Sequence, residues 1–181
     1  MKKVIILPII FLLCALDIAQ AQNSDTTDVC VVINGVAWTT RNVVRKGEFV
    51  AKPENNGTLF TWKTAQEVCP SGYRLPTRAE IYSLIDADSR WTIKNGAQIK
   101  GRTFGSGNNT IFLPAAGYVD SDECEECGYS TLYEKMRGCY WYDVGYESTI
   151  AHYMIFHSSD IDLSSCYERL GSERSVRCVA K

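Results

Sequence analysis

The chain has 181 residues, a formal net charge of −2 and 45% hydrophobic residues. This length and composition fit one globular domain with a real hydrophobic core. No basic patch stands out, which argues against a nucleic-acid partner.

The first 21 residues have the pattern of a secretory signal peptide. Lys2 and Lys3 precede an apolar stretch over residues 4–16, and Ala19-Gln20-Ala21 fits a cleavage site. The stretch is too short to span a bilayer, so we expect no integral membrane segment after cleavage. A lipoprotein signal ending at Cys14 is the alternative, but a bulky leucine stands where that signal needs a small residue. We therefore expect an exported protein in the periplasm, at the cell surface or outside the cell.

Residues 22–28 are polar and predict a flexible leader, and the domain itself is expected over residues 29–181. Two β-rich segments, 29–33 and 36–40, flank Asn34-Gly35. An Asn-Gly pair between such segments is a strong signal for a β-hairpin.

Two short helices are predicted between residues 61 and 85. Thr61 is a good N-cap, and the apolar residues that follow share one helix face until Pro70 and Gly72 end the helix. Thr77 and Glu80 form a capping box at the start of the second helix. Its buried stripe is expected at Ile81, Leu84 and Ile85. These stripes are interpreted as core rather than as a cofactor site.

Strands and long loops are predicted for the rest of the chain. Short strands are expected at residues 111–113, 139–144, 149–157 and 176–179, and loops at residues 95–109, 120–138 and 158–175. Strands outnumber helices, and both helices lie early in the chain. The pattern predicts an α+β domain in which two short helices pack on antiparallel sheets with long loops.

Seven of the eight cysteines follow the signal, and in an exported chain they indicate disulfide bonds. Because seven is odd, one thiol is left free or pairs with another molecule. Cys124 and Cys127 form a CxxC motif. Such a motif can be a redox pair, part of a zinc site or a structural disulfide. The missing thioredoxin-like context and ligand spacing favour the structural disulfide.

Other chemistry-bearing residues favour ordinary structural roles. The acidic cluster in residues 120–126 does not match an EF-hand and indicates a solvated surface. His152 and His157 lie five residues apart, on opposite faces of a strand, so they cannot jointly bind one metal unaided. No nucleophile motif accompanies them. We expect no catalytic residue, metal site or cofactor.

Aromatic residues divide into two groups. Trp62 and Trp141 are predicted to lie in the core. The tyrosines in residues 128–146 either stack on sugar rings, anchor a protein partner, or pack beneath the loops.

Several ordered motifs resemble the Fibrobacter succinogenes major paralogous domain, over nearly the whole chain after residue 29. They lie at residues 33–38, 42–43, 60–77, 101–105, 111–118, 140–141 and 175–179. That family in turn resembles the C-type-lectin-like fold. The resemblance implies a disulfide between Cys69 on the first helix and Cys178 on the last strand.

The resemblance does not extend to the calcium-dependent sugar site of the lectin-like fold. That site needs a Glu-Pro-Asn or Gln-Pro-Asp triplet and a Trp-Asn-Asp triplet, and the chain has neither. Calcium-dependent sugar binding is therefore not expected from it.

These observations predict a non-catalytic binding or adhesion module for a protein or glycan ligand, because a cross-linked scaffold with long loops suits recognition. The alternatives are an enzyme related to the formylglycine-generating enzymes, which needs a reactive cysteine, and a structural subunit of a surface assembly. The candidate ligand face comprises Arg102, Phe104, Asn108, Asp122, Glu123, Tyr129, Tyr133 and Tyr142.

Overall fold

The computed structural model describes residues 30–120, 133–145, 149–167 and 171–181. The signal peptide and leader predicted for residues 1–28 lie outside the described residues, as do Cys124 and Cys127. In the described ranges, no helix has the length and apolar character needed to cross a membrane.

The described chain is an α+β domain with many short strands and two short helices. The elements are β1 Cys30–Ile33, β2 Val36–Thr39, β3 Val43–Arg45, β4 Glu48–Phe49, β5 Phe60–Thr61, α1 Trp62–Ala65, β6 Tyr73–Arg74, α2 Arg78–Ile85, β7 Ser89–Lys94, β8 Ile99–Ser106, β9 Asn109–Pro114, β10 Gly138–Tyr142, β11 Ile150–Phe156, β12 Ile161–Tyr167, β13 Glu173–Arg174 and β14 Val179–Ala180.

The predicted hairpin is confirmed by β1 and β2, which pair antiparallel with Ile33 opposite Val36. Asn34 and Gly35 both have positive φ, 47° and 83°. Two consecutive positive φ values define the turn whose twist matches that of the flanking strands, and asparagine and glycine adopt them readily.

Both predicted helix starts are confirmed. The Thr61 hydroxyl accepts a hydrogen bond from the Thr64 amide, although α1 is only one turn long. In α2, Thr77 accepts from the Glu80 amide and the Glu80 carboxylate accepts from the Thr77 amide, which completes the capping box. Arg74 adds a bidentate contact to Glu80 at 2.7 and 2.8 Å, which fixes the start of α2 against β6.

The last strand lies inside a sheet and not at its edge. The sheet order is β1-β2-β14-β6, so β14 pairs with β2 on one side and with β6 on the other. Cys178, just before β14, forms a disulfide with Cys69, with their Cα atoms 6.1 Å apart. The pairing implied by the family resemblance is confirmed.

Two segments predicted as loops are largely strands. Residues 95–109 contain all of β8, and its glycines permit close strand contact. A Cβ on Gly101 would lie 2.2 Å from the Leu113 carbonyl oxygen, and one on Gly105 would lie 2.0 Å from that of Asn109. Residues 158–175 include β12, which pairs along its whole length with β11. Its polar composition reflects exposed positions such as Ser164 and Ser165.

The core has two clusters of buried apolar side chains. One packs α2 against β8–β11 and includes Ile81, Leu84, Phe104 and Phe156. The other packs α1 against β10 and contains Trp62 and Trp141, whose rings meet edge to face at 5.7 Å. The expectation that both tryptophans are core residues is confirmed.

A buried polar network links segments that lie far apart in the sequence. Arg177 is 1% exposed and donates to Asn42 Oδ1, the Thr39 carbonyl and the Phe112 carbonyl at 2.9, 2.9 and 3.0 Å. Asn42 in turn donates to the Tyr140 hydroxyl at 3.1 Å. Several residues that carry the family resemblance therefore have a structural role, because each satisfies a buried polar partner.

Candidate functional site

The candidate ligand face is only partly exposed. Phe104 and Tyr142 are 0% and 1% exposed, so including them was wrong. Both belong to the core cluster around α2, and burial raises the pKa of the Tyr142 hydroxyl. Asp122, Glu123 and Tyr129 lie outside the described residues.

Arg102 and Asn108 both belong to the β8–β9 hairpin. The Arg102 guanidinium donates to the Ser89 hydroxyl at 3.1 Å and to the His157 carbonyl at 2.8 Å. Burial lowers its pKa. Asn108 is exposed in the tight turn between the two strands. Arg102 therefore ties β8 to the turn after β11 through two of its five N–H donors.

His157 belongs to a hydrogen-bonded cluster at the turn between β11 and β12. Its Nε2 lies 2.5 Å from Asp160 Oδ1, and its Nδ1 lies 3.1 Å from the Ser159 hydroxyl. The His157 and Asp160 side chains are 39% and 59% exposed, so the cluster lacks the water-excluded surroundings in which such groups catalyse. The arrangement fits a role in fixing the turn.

The remaining histidine and the buried thiol are also accounted for by packing. His152 lies beside Tyr142 with ring centroids 5.9 Å apart, and burial, followed by the charge of Arg78, lowers its pKa. Cys139 is 0% exposed, and burial raises its pKa to about 12. A thiol in this state supplies almost no thiolate near neutral pH, so it is a poor nucleophile.

An exposed turn with an uncommon backbone is formed by residues 133–137, here called the Tyr133 turn. Tyr133 and Lys135 have φ of 56° and 64°, which is uncommon for side chains of this size. The turn is fixed to the scaffold because the Lys135 amide donates to the Ala115 carbonyl at 2.7 Å and the Gly117 amide to the Arg137 carbonyl at 2.9 Å. It presents Tyr133 and Met136 at 40% and 61% exposure.

Stacked contacts support the Tyr133 turn from below. The Tyr133 ring stacks on Tyr118 with centroids 5.6 Å apart, and the Arg137 guanidinium lies 4.3 Å from the Tyr133 ring centre. Beneath them, buried Arg174 lies 4.6 Å from the Tyr118 ring centre. Arg174 is held in turn by the Val119 carbonyl at 2.6 Å. The exposed tyrosine is therefore the outer member of a series of aromatic and cationic groups that reaches the core.

The tyrosines that cluster in residues 128–146 of the sequence differ in burial. Tyr140 and Tyr142 are buried, whereas Tyr133 is exposed. The sequence clustering pointed to this region, but the contacts that hold the Tyr133 turn come from residues 115–118 and 174. No local spacing in the sequence predicts these contacts.

In the parts of the chain that the structure describes, no group of three or more His, Cys, Asp or Glu residues is arranged to hold a metal ion. Searches against protein-family models, curated proteins and solved structures found no match to this chain.

Proposed function

We propose that this chain is an exported, non-catalytic binding module that contacts a protein partner through the Tyr133 turn. The fold proposed for it is C-type-lectin-like, in line with the resemblance to the Fibrobacter succinogenes major paralogous domain. The observation that carries the proposal is the exposure of Tyr133 and Met136 in a turn where Tyr133 and Lys135 have left-handed backbone conformations.

The backbone of the Tyr133 turn supports a role in recognition. Non-glycine residues in the left-handed region cost about 1–3 kcal/mol each and persist where surrounding contacts impose them, often at binding sites. Here two amide hydrogen bonds to residues 115–117 impose them. A turn that is already rigid loses little conformational entropy when a partner binds, which favours affinity.

The side chains favour a protein partner over a sugar. Tyrosine, methionine and arginine are enriched in the centres of protein interfaces. A sugar ring would need an open aromatic face for stacking. The Tyr118 ring and the Arg137 guanidinium both lie against the Tyr133 ring, which leaves less of that surface for a sugar.

Export is part of the proposal and is supported by two features. The first is the signal-like pattern of residues 1–21. The second is the Cys69–Cys178 disulfide, because such bonds persist in oxidising compartments. The enzyme alternative requires a reactive cysteine. The buried Cys139 thiol does not offer one, so among the described residues this alternative would have to rest on half-buried Cys30 or Cys166.

The test compares binding of the oxidised protein to a surface-protein extract of the producing cells with binding to a glycan array. Tyr133→Ala and Met136→Ala should each weaken binding to the extract about tenfold or more, as expected for interface hot spots. Tyr82→Ala is the matched control, because Tyr82 on α2 is 45% exposed and lies outside the turn.

Three outcomes would contradict the proposal. Binding to glycans alone would move the ligand class to sugars. Turn variants that bind as well as the native protein would remove the turn from the site. Copurification in a fixed large assembly that survives both turn substitutions would favour the structural-subunit alternative.

A further inference from the structure

A groove distinct from the Tyr133 turn lies between β3, β5 and α1. Its volume is about 440 Å³, within the range of ordinary ligand sites. Phe60 and Val68 are buried and form its floor together with half-buried Val44. Its rim carries exposed Arg45, Lys46 and Lys63, and we call it the basic-rimmed groove.

The cations of the rim are available to a ligand. Arg45 pairs with Glu48 at 2.6 Å and Lys46 with Glu67 at 2.9 Å, but all four side chains are about half to three-quarters exposed. Exposed ion pairs of this kind contribute little to stability, so a ligand carboxylate can replace the internal one at small cost. Lys63 makes no hydrogen bond or ion pair with any residue that the structure describes.

The charge of the groove opposes that of the whole chain. Three cationic side chains and the Glu67 carboxylate line it, and Glu48 lies beside them against Arg45, which leaves an excess of one positive charge where the whole chain has a formal net charge of −2. Such a local excess attracts anionic ligands, most strongly at low ionic strength.

We propose that the basic-rimmed groove binds a short extended peptide that alternates acidic and apolar residues. In an extended chain, successive side chains point in opposite directions. When an apolar side chain enters the groove, its acidic neighbours point away from the floor, where the long, exposed cationic side chains of the rim can fold over to reach them. An anionic polysaccharide fits less well, because its hydroxyl groups would meet an apolar floor without hydrogen-bond partners.

The test measures fluorescence anisotropy of a labelled peptide, Glu-Leu-Asp-Val-Glu, with the full oxidised protein at low and high ionic strength. Saturable binding that weakens with salt is expected, and the amide peptide Gln-Leu-Asn-Val-Gln should bind at least about tenfold more weakly. Lys63→Glu should raise Kd about tenfold, because it adds a second carboxylate beside Glu67. Val44→Ser should raise Kd severalfold, because it places a hydroxyl group in the apolar floor of the groove.

Arg90→Glu is the matched control, because Arg90 is an exposed cation on β7 outside the groove. It should leave Kd unchanged, and thermal unfolding should show that every variant is folded. Equal weakening by Arg90→Glu and Lys63→Glu, equal affinity for the amide peptide, tighter binding of polygalacturonate, or no saturable binding would each overturn the proposal. Tyr133→Ala should not alter peptide binding, so this result is independent of the function proposed above.

Discussion

Removal of the Cys69–Cys178 disulfide should destabilise the domain strongly. The bond closes a segment of 109 residues. The chain-entropy relation for a loop of that length gives about 4.8 kcal/mol at 25 °C. Because domains of this kind are stable by only about 5–15 kcal/mol, the double variant Cys69→Ala/Cys178→Ala should lose a large share of its stability.

The measurement is urea unfolding followed by tryptophan fluorescence and far-ultraviolet circular dichroism under non-reducing conditions. With an m-value of about 2 kcal/mol per molar urea, the midpoint should fall by about 2.4 M. The control is Cys139→Ala, which removes a buried thiol without opening a loop. It should cost about 1 kcal/mol, the amount expected for a small cavity.

Two results would refute this reasoning. A midpoint shift equal to that of Cys139→Ala would mean that closing the long loop contributes no measurable stability. A midpoint that does not fall, accompanied by a larger m-value, would mean that removing the cross-link expands the unfolded chain without the predicted loss of stability.

Three further predictions concern the scaffold. Arg177→Met should lower the free energy of unfolding by about 4 kcal/mol, because it leaves three buried oxygens without donors, and urea unfolding measures this. Gly101→Ala should lower the free energy of unfolding by about 3 kcal/mol or more, because the added Cβ would meet a backbone oxygen. A Cβ on Gly107 would meet open space, so Gly107→Ala should cost only about 1 kcal/mol, for its positive φ. Equal losses of stability in thermal melts would contradict the steric argument. The Arg74 hydrogen bond, aided by the helix cap, lowers the pKa of Glu80 below its ordinary value of 4.5, so this stabilisation is present above that pH and is lost as pH falls through the lower folded value. Glu80→Gln should flatten that acid limb in a series of urea midpoints against pH, and an unchanged limb would show that other carboxylates dominate it.

The local signals in the sequence predicted the elements whose causes are themselves local. The Asn34-Gly35 turn and the Thr77 capping box need only neighbouring residues, and both are confirmed. The prediction of a loop at residues 95–109 was wrong. It was based on the glycines of this segment, but Gly101 and Gly105 allow neighbouring strands to approach closely.

The candidate face was harder to predict because exposure depends on the assembled sheets. Phe104 lies in a segment predicted as a loop, whereas Tyr142 lies in the strand predicted at residues 139–144. Both side chains are buried in the core cluster around α2, and β10, which carries Tyr142, is buried along its whole length. The turn that carries exposed Tyr133 is closed by its own hydrogen bonds, from the Met136 and Arg137 amides to the Tyr133 carbonyl, but its place on the scaffold is fixed by residues 115–118. Contacts across such distances in the sequence leave no periodic pattern to read.

The place of β14 has a consequence for vectorial synthesis. Val179 pairs with Trp38 on one side and with Arg74 on the other. The strands β2 and β6 are therefore synthesised well before the strand that joins them into one sheet. A ribosome adding residues one by one therefore leaves this seam open until residue 179 has been made. A nascent chain stalled short of residue 178 would hold unjoined strand edges, which makes it a natural substrate for chaperones.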